Sequence, residues 1–494
     1  MDGTSYPKKY LRGITILFNS FAFLYFIIIV LLGIIIIKNK KYKQIWLLIA
    51  SYFFYWYSSE LLISLLIFST LLDFNCGKAI YKTKDQKKRK FYLIVSLIGN
   101  LGLLGIFKYT DFSISALNYF SSSLGYELGL PLLNIVLPIG ISFYTFQTLS
   151  YTLDIYLKKM KPTNSILEFG LYVAFFPQLV AGPIVRACDF IPQLRKNIRI
   201  LPDNLKAGLT LVMWGLVKKI IFADNIAIFV NGYFADPTLY PGSIPAMIAT
   251  LGFGIQIYCD FSGYSDIAIG VAKILGFNLR LNFDKPYFAT NISMFWKKWH
   301  ISLSSWLQDY LYIPLGGNRK GKTRTHVNLM ITMILGGLWH GAAWNFLFWG
   351  IYQGTLLLIH KMLIDLKLTR TINIFKGYKK YVALFLTQYF VFMGWILFRV
   401  SNIDDLKFVV IKYITFDFSS GLAQISNLIQ LHEIPLIFLA TFLLIHIYTF
   451  FNRDFIDKIA KTDLFNWGLY LFIMCLALYF LSPLETVEFI YFQF

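Results

Sequence analysis

The sequence predicts an all-α integral membrane bundle: one polytopic domain over 1–494, with roughly eleven helices crossing the bilayer and further re-entrant or interfacial pieces. Three observations predict it. Of 494 residues, 57% are hydrophobic and only 15% charged, whereas a soluble chain carries about a quarter charged residues. The mean hydropathy is +0.59. Apolar runs long enough to cross about 30 Å of hydrocarbon at 1.5 Å per residue recur almost to the last residue. With 46 Lys plus Arg against 26 Asp plus Glu, the formal charge is +20. In a soluble chain that excess would suggest nucleic acid; in a chain whose solvent is the lipid bilayer it predicts basic cytoplasmic loops and no nucleic-acid partner.

The first run, 14–37, is too long for a signal-peptide core and is followed by Lys38, Lys40, Lys41 and Lys43 rather than a small-residue cleavage site, which predicts a retained helix. Further full-length runs lie at 91–107, 132–156, 205–222, 244–259, 327–349, 381–399, 434–451 and 466–482. Shorter runs at 45–57, 60–76, 166–182 and 264–276 are read as short spans, hairpins or re-entrant pieces, which are tolerated where protein or a water-filled cavity covers the backbone. The stretch 81–90 carries Lys82, Lys84, Lys87, Lys88, Arg89 and Lys90, while 108–131 has only Lys108 against Asp111 and Glu127. The former is predicted cytoplasmic and the latter an outside connection. Lys158 to Lys161, Arg195 to Arg199 and Arg319 to Arg324 mark returns to the cytoplasm. There is no internal repeat of the kind common in secondary transporters. Cys76, Cys188, Cys259 and Cys475 show neither CxxC spacing nor a histidine cluster, so no disulfide framework and no metal site is read from them.

Residues 253–350 differ from the rest. Asp260-Phe-Ser-Gly-Tyr-Ser-Asp266, preceded by Gln256, puts two carboxylates and an amide into an apolar context. Ionisable groups at membrane depth are costly and therefore functional candidates; the structural alternative is capping, or pairing with a neighbouring base. Trp296-Lys-Lys-Trp299-His300 resembles an interfacial segment, with snorkelling Lys stems and Trp rings at headgroup level. The turn 315–324 holds three glycines with Arg319, Lys320, Lys322 and Arg324. It is either a topological anchor or a grip for the phosphates of a ligand such as coenzyme A, and it lacks the spacing of a nucleotide P-loop. His340 is the strongest single candidate. Sixteen residues of helix from Arg324 rise about 24 Å and carry the imidazole deep into the membrane, between Trp339 and Trp344 and among Gly336, Gly337, Gly341, Ala342 and Ala343. Such small residues permit close helix packing or leave room for a substrate. His360 with Asp365 spells HxxxxD but lies at a basic helix exit, and His326, His432 and His446 have no companions in sequence. Serine-hydrolase, zinc-protease and dinucleotide motifs are absent.

Several pieces together resemble the membrane-bound O-acyltransferase superfamily, and within it the bacterial branch of alginate and peptidoglycan O-acetyltransferases. They are the run from Leu137 to Gln147, the run from Phe175 to Arg186, the Asp260 to Asp266 run, Trp299-His300-Ile-Ser-Leu-Ser, the Asp309 to Gly317 run, and Gly337-Leu-Trp-His340-Gly. They concentrate in 137–350, and the helices of 400–494 are placed by hydropathy. The resemblance implies that His340 is the catalytic histidine and His300 its polar companion, in a funnel or tunnel joining the two faces, with Asp260, Gln256, Trp299, Trp339 and Asn345 as further lining candidates and Arg319, Lys320 and Arg324 toward the donor. It implies acetyl-CoA as donor substrate, no permanently bound cofactor, a cell-surface polysaccharide as acceptor, an extracytoplasmic partner protein that accepts acetyl or acetylates the polymer, and residence in the bacterial inner membrane. An imidazole with a pKa near 6.5 is mostly neutral at pH 7 and can take the proton of an attacking hydroxyl. D-alanyl transfer to teichoic acid is the alternative within the superfamily; a transporter or channel with buried histidines is the alternative outside it.

Overall fold

The computed structural model describes residues 16–180, 182–366, 377–418, 421–484 and 487–490, and every regular element among them is helical. Residues 14 and 15, where the first predicted run begins, lie outside the described residues, as does Ala181 within the 166–182 run. The chain forms two compact units, Met1–Gly208 with Val271–Arg280, and Leu209–Gly270 with Leu281–Phe494.

In the first unit, helices α1 (Phe21–Ile36), α2 (Lys40–Ser59), α3 (Ile63–Lys82), α4 (Gln86–Leu104), α5 (Thr110–Ser123) and α6 (Ile141–Tyr156) precede three short ones, α7 (Ile166–Ala174), α8 (Phe176–Leu179) and α9 (Ala187–Leu194). Side-chain caps set the starts: Ser20 accepts from Phe23 N, Asn39 from Lys41 N and Asp85 from Lys87 N, each satisfying an otherwise orphaned amide. α2 and α3 are joined at Glu60, whose φ of 46° turns the chain. A buried polar network ties α3, α4 and α6: Asp73 accepts from Ser96 Oγ at 2.6 Å and Asn100 Nδ2 at 2.9 Å, and Thr152 lies 3.0 Å from Ser96. α7 cannot run on into α8, because Pro177 has no N–H to continue the ladder. The break at Phe175 is wholly buried, and Gln178 Nε2 donates to the Tyr172 carbonyl at 2.9 Å. That is the covered, irregular backbone which the 166–182 reading requires.

The second unit contains most of α10 (Pro202–Leu216) and α12 (Ser243–Ile274), all of α11 (Asp224–Ala235), α13 (Ile292–Lys298), α14 (Ile301–Leu307), α15 (Lys322–His340) and α16 (Trp344–Asp365), and then α17 (Tyr378–Arg399), α18 (Ile403–Thr415), α19 (Gly421–Phe451), α20 (Phe455–Lys461) and α21 (Leu464–Leu481). Among the described residues, seven stretches are long and apolar enough to cross a membrane, not the roughly eleven expected. The reasons are local. The runs 45–57 and 60–76 belong to one bent stretch, Lys40–Lys82, and 244–259 and 264–276 are one continuous helix, α12. The 132–156 run is helical only from Ile141, and the 327–349 run is broken at 341–343. The stretch 108–131, expected as an outside connection, is helical as far as Ser123: the helix of α4 continues through a π-turn, Gly105–Tyr109, into α5. The serine-rich composition of α5, weak in helix propensity, hid it.

Candidate active site

Two helices of the second unit meet at unusually short range, and glycine is the reason. A Cβ on Gly337 of α15 would collide with the carbonyl oxygen of Phe346 and stand 3.0 Å from Gly350 Cα on α16, so only glycine lets these backbones approach. α15 ends at His340, Gly341 is extended, and α16 restarts at Trp344. Asn345 Nδ2 donates to the Phe398 carbonyl at 3.0 Å, holding the start of α16 to α17. His340 is thereby fixed at a helix terminus and is buried, with ring centroids of Trp339 and Trp349 at 5.2 Å and of Phe398 at 5.5 Å.

His300 occupies the junction of α13 and α14 in a left-handed conformation, φ 42° and ψ 55°, uncommon for a residue with a side chain. Its buried ring lies 4.7 Å from Phe261, 5.8 Å from Trp339 and 6.3 Å from His340, centroid to centroid. The structure therefore brings together His300, His340 and Trp339, forty residues apart in sequence at the extremes, in a buried aromatic setting. Trp299, next to His300, is buried against Phe283 edge-on at 5.0 Å, Phe295 in a stack at 5.7 Å and Trp395 tilted at 4.8 Å. It is a wall of the core that carries the His300 junction.

The remaining sequence candidates are placed elsewhere. Asp260 belongs to an ion cluster: Lys219 Nζ lies 2.7 Å from both Asp260 and Asp224, and the amide of Ile490 donates to Asp260 at 2.7 Å. Asp266 pairs with Lys218 at 2.6 Å. Adjacent lysines face two carboxylates of α12 because they sit in a π-turn, Val217–Ala223, which shifts the register of a helix, and because Gly215 and Gly263 let the two backbones touch. The pairing alternative weighed for Asp260 and Asp266 is the arrangement observed. Lys218, Lys219 and Asp224 were not singled out from the sequence; two lysines inside the apolar run 205–222 were the available signal. Gln256 lies one turn before Asp260, buried, with Oε1 unpartnered among the described residues. Arg319, Lys320 and Arg324 are exposed in a turn shaped by Gly316, Gly317 and Gly321, all at positive φ. Arg324 is separated from His340 by about 24 Å along α15, so the structure does not bring these bases to the histidine pair.

Two histidines without sequence companions have spatial ones. His432 Nε2 lies 3.0 Å from Tyr240 Oη, and His446 is buried among Tyr258, Phe288 and Phe442. Asp365 is 3.9 Å from Lys361, an i,i+4 pair on one helix. A further donor, unrecognised in sequence, is Trp349: its ring packs edge-on to His340, centroids 5.2 Å apart, and its buried indole Nε1 has no hydrogen-bond partner among the described residues, the kind of group that awaits a ligand or water.

A model of the membrane-bound O-acyltransferase family matches residues 48–403. The chain is similar to a probable alginate O-acetylase of Azotobacter vinelandii, 39% identical over 346 residues that cover 70% of this chain and 66% of that one. It is similar also to a peptidoglycan O-acetyltransferase of Helicobacter pylori, 36% identical over 69% of this chain and 68% of the relative. A teichoic acid D-alanyltransferase of Bacillus subtilis is 30% identical over 45% of this chain and 59% of the relative. The chain thus spans about two thirds of the length of the curated O-acetyl relatives it matches, and the family match covers well over half of its own residues. It belongs to the membrane-bound O-acyltransferase family.

Proposed function

We propose that this multi-pass membrane protein is an O-acetyltransferase of the bacterial inner membrane that moves acetyl from cytoplasmic acetyl-CoA toward hydroxyls of an extracytoplasmic polysaccharide, with a partner protein that receives the acetyl or selects the polymer. The observation that carries the reading is the convergence of His300 and His340, both buried and 6.3 Å apart. A neutral imidazole at His340 accepts the proton of the attacking hydroxyl as its oxygen bonds to the thioester carbonyl carbon. The tetrahedral oxyanion requires donors, and the buried Trp349 indole N–H beside His340 is the candidate. Collapse breaks the carbon–sulfur bond, and the proton held on His340 passes to the departing thiolate. His300 orients the reacting groups at the pair.

A polysaccharide acceptor is supported by the relatives that act on alginate and peptidoglycan. D-alanyl transfer ranks behind it, since the teichoic acid relatives match at lower identity over less of the chain. A separate partner is supported by the 108–131 stretch, which is helix to Ser123 followed by a short irregular run; recognising a polymer takes a concave surface with several fixed polar groups. Purified protein in vesicles, with acetyl-labelled CoA thioester inside and polysaccharide plus the extracytoplasmic fraction outside, is expected to pass label to polymer or partner. Passage of neither, with protein correctly inserted, rejects acetyl transfer; efficient labelling of pure polysaccharide without any added protein rejects the partner.

The exposed turn is expected to act on the donor alone. Changing Arg319, Lys320 and Arg324 together to Gln should raise KM for acetyl-CoA by about tenfold while lowering kcat less, the pattern of lost uniform binding. An unchanged KM would reduce these charges to topological anchors.

A further inference from the structure

The His300 ring is contacted by Asn282, a residue in the irregular stretch before α13 that none of the quoted motifs contains. Asn282 is buried, and its Oδ1 lies 3.2 Å from His300 Nδ1, 3.2 Å from the Ser302 amide nitrogen and 2.9 Å from Ser302 Oγ. Its backbone carbonyl accepts from Ile301 N at 2.9 Å, and its Nδ2 is 3.4 Å from Ser265 Oγ on α12. A backbone N–H can only donate. The amide atom facing Ser302 N is therefore the oxygen, which removes the flip ambiguity of an Asn side chain. An amide oxygen can only accept, so the hydrogen in the contact with His300 belongs to Nδ1. In a neutral imidazole the lone pair then resides on Nε2. The same residue holds the amides of Ile301 and Ser302, and with them the left-handed backbone of His300. Being uncharged, Asn282 fixes the tautomer without the bias toward imidazolium that a carboxylate would add.

We propose that Asn282 is a positioning residue for acyl transfer: it holds His300 as the Nδ1–H tautomer and so makes Nε2 the atom that accepts a hydrogen bond at the His300–His340 pair. The inference rests on the acetyl-transfer reading above, and its test separates the two. Ring-nitrogen NMR of the full-length, histidine-¹⁵N-labelled protein in lipid reads the tautomer directly, with the His300 signal identified by its loss in His300→Gln. The wild type is expected to show a protonated Nδ1 at His300. Asn282→Leu should lose that preference and lower kcat for transfer from acetyl-CoA by at least roughly tenfold, with KM changing far less. Asn282→Asp should keep the tautomer and restore activity, with the acid limb of its pH–rate profile moved to higher pH, because the added carboxylate favours the protonated ring. A merely structural role would leave that limb in place.

A wild-type Nε2–H signal overturns the proposal, as does an Asn282→Leu protein that keeps the Nδ1–H tautomer, or one that loses it yet transfers acetyl at the wild-type rate. A wild-type protein with the Nδ1–H signal that moves no acetyl from acetyl-CoA supports the tautomer assignment and rejects the proposed function.

Discussion

Replacing His340 by alanine is expected to lower acetyl transfer by roughly 10²- to 10⁴-fold, the usual loss when a general base is removed, while the protein remains folded and inserted. The geometry favours this outcome over a packing defect. His340 is the last residue of α15, and the close approach of α15 to α16 is set one turn earlier, at Gly337 and Gly350. His340→Gln, which keeps volume and hydrogen bonding but cannot serve as the base, should be nearly as inactive as the alanine variant. His300→Ala should also impair transfer, less completely, because it orients rather than takes the proton. Turnover of purified protein in lipid, with size-exclusion behaviour as the folding control, provides the measurement. Near-wild-type turnover of His340→Ala would refute the assignment, and loss confined to His300→Ala would mean that the two roles are reversed.

Legibility differed between what periodicity reports and what tertiary pairing decides. His340 was readable because its depth follows from counting helical residues after a basic turn, and the helix Lys322–His340 is there. His300 was readable only as part of a Trp- and Lys-rich segment; its approach to His340 depends on the left-handed turn at the α13–α14 junction, which no local pattern announces. The division of α12 into two runs is a matter of hydropathy: Asp260-Phe-Ser-Gly263 interrupts the apolar average, yet the helix continues, with Lys219 pairing Asp260 from outside α12. Likewise hydropathy does not announce α5, because its serines, Asp111 and Asn118 interrupt any apolar run. Asn282 was invisible for a different reason. Its role lies in three acceptor contacts made by one oxygen, to residues eighteen to twenty positions away, and a lone Asn before a Phe-Asp pair carries no signal of that.

The largest structural effect is expected at Lys219. Its ammonium lies 2.7 Å from both Asp224 and Asp260 and donates to the Val487 carbonyl at 2.9 Å, with all three charged side chains almost fully buried. Lys219→Met removes the ammonium that Asp224 and Asp260 share and strands two carboxylates. Breaking a buried pair in this way typically costs about 3–5 kcal/mol, because the remaining charge keeps its desolvation penalty; that is a large share of a total stability of about 5–15 kcal/mol, so the variant should melt well below the wild type and yield less folded protein. The effect should travel to the histidines. Asp260 also accepts from the Ile490 amide, Phe489 stacks on Tyr264 at 4.0 Å and lies 6.1 Å from Phe261, and Phe261 is the ring against His300. Surviving Lys219→Met protein is therefore expected to be impaired in transfer as well as in melting. The triple change of Lys219→Met with Asp224→Asn and Asp260→Asn should recover stability, since no charge is then left unpaired and both amides can still hydrogen-bond. Thermal melting in detergent decides the matter: a Lys219→Met protein that melts with the wild type, or a triple variant no better than the single one, would show that the cluster is not held by the Lys219 charge.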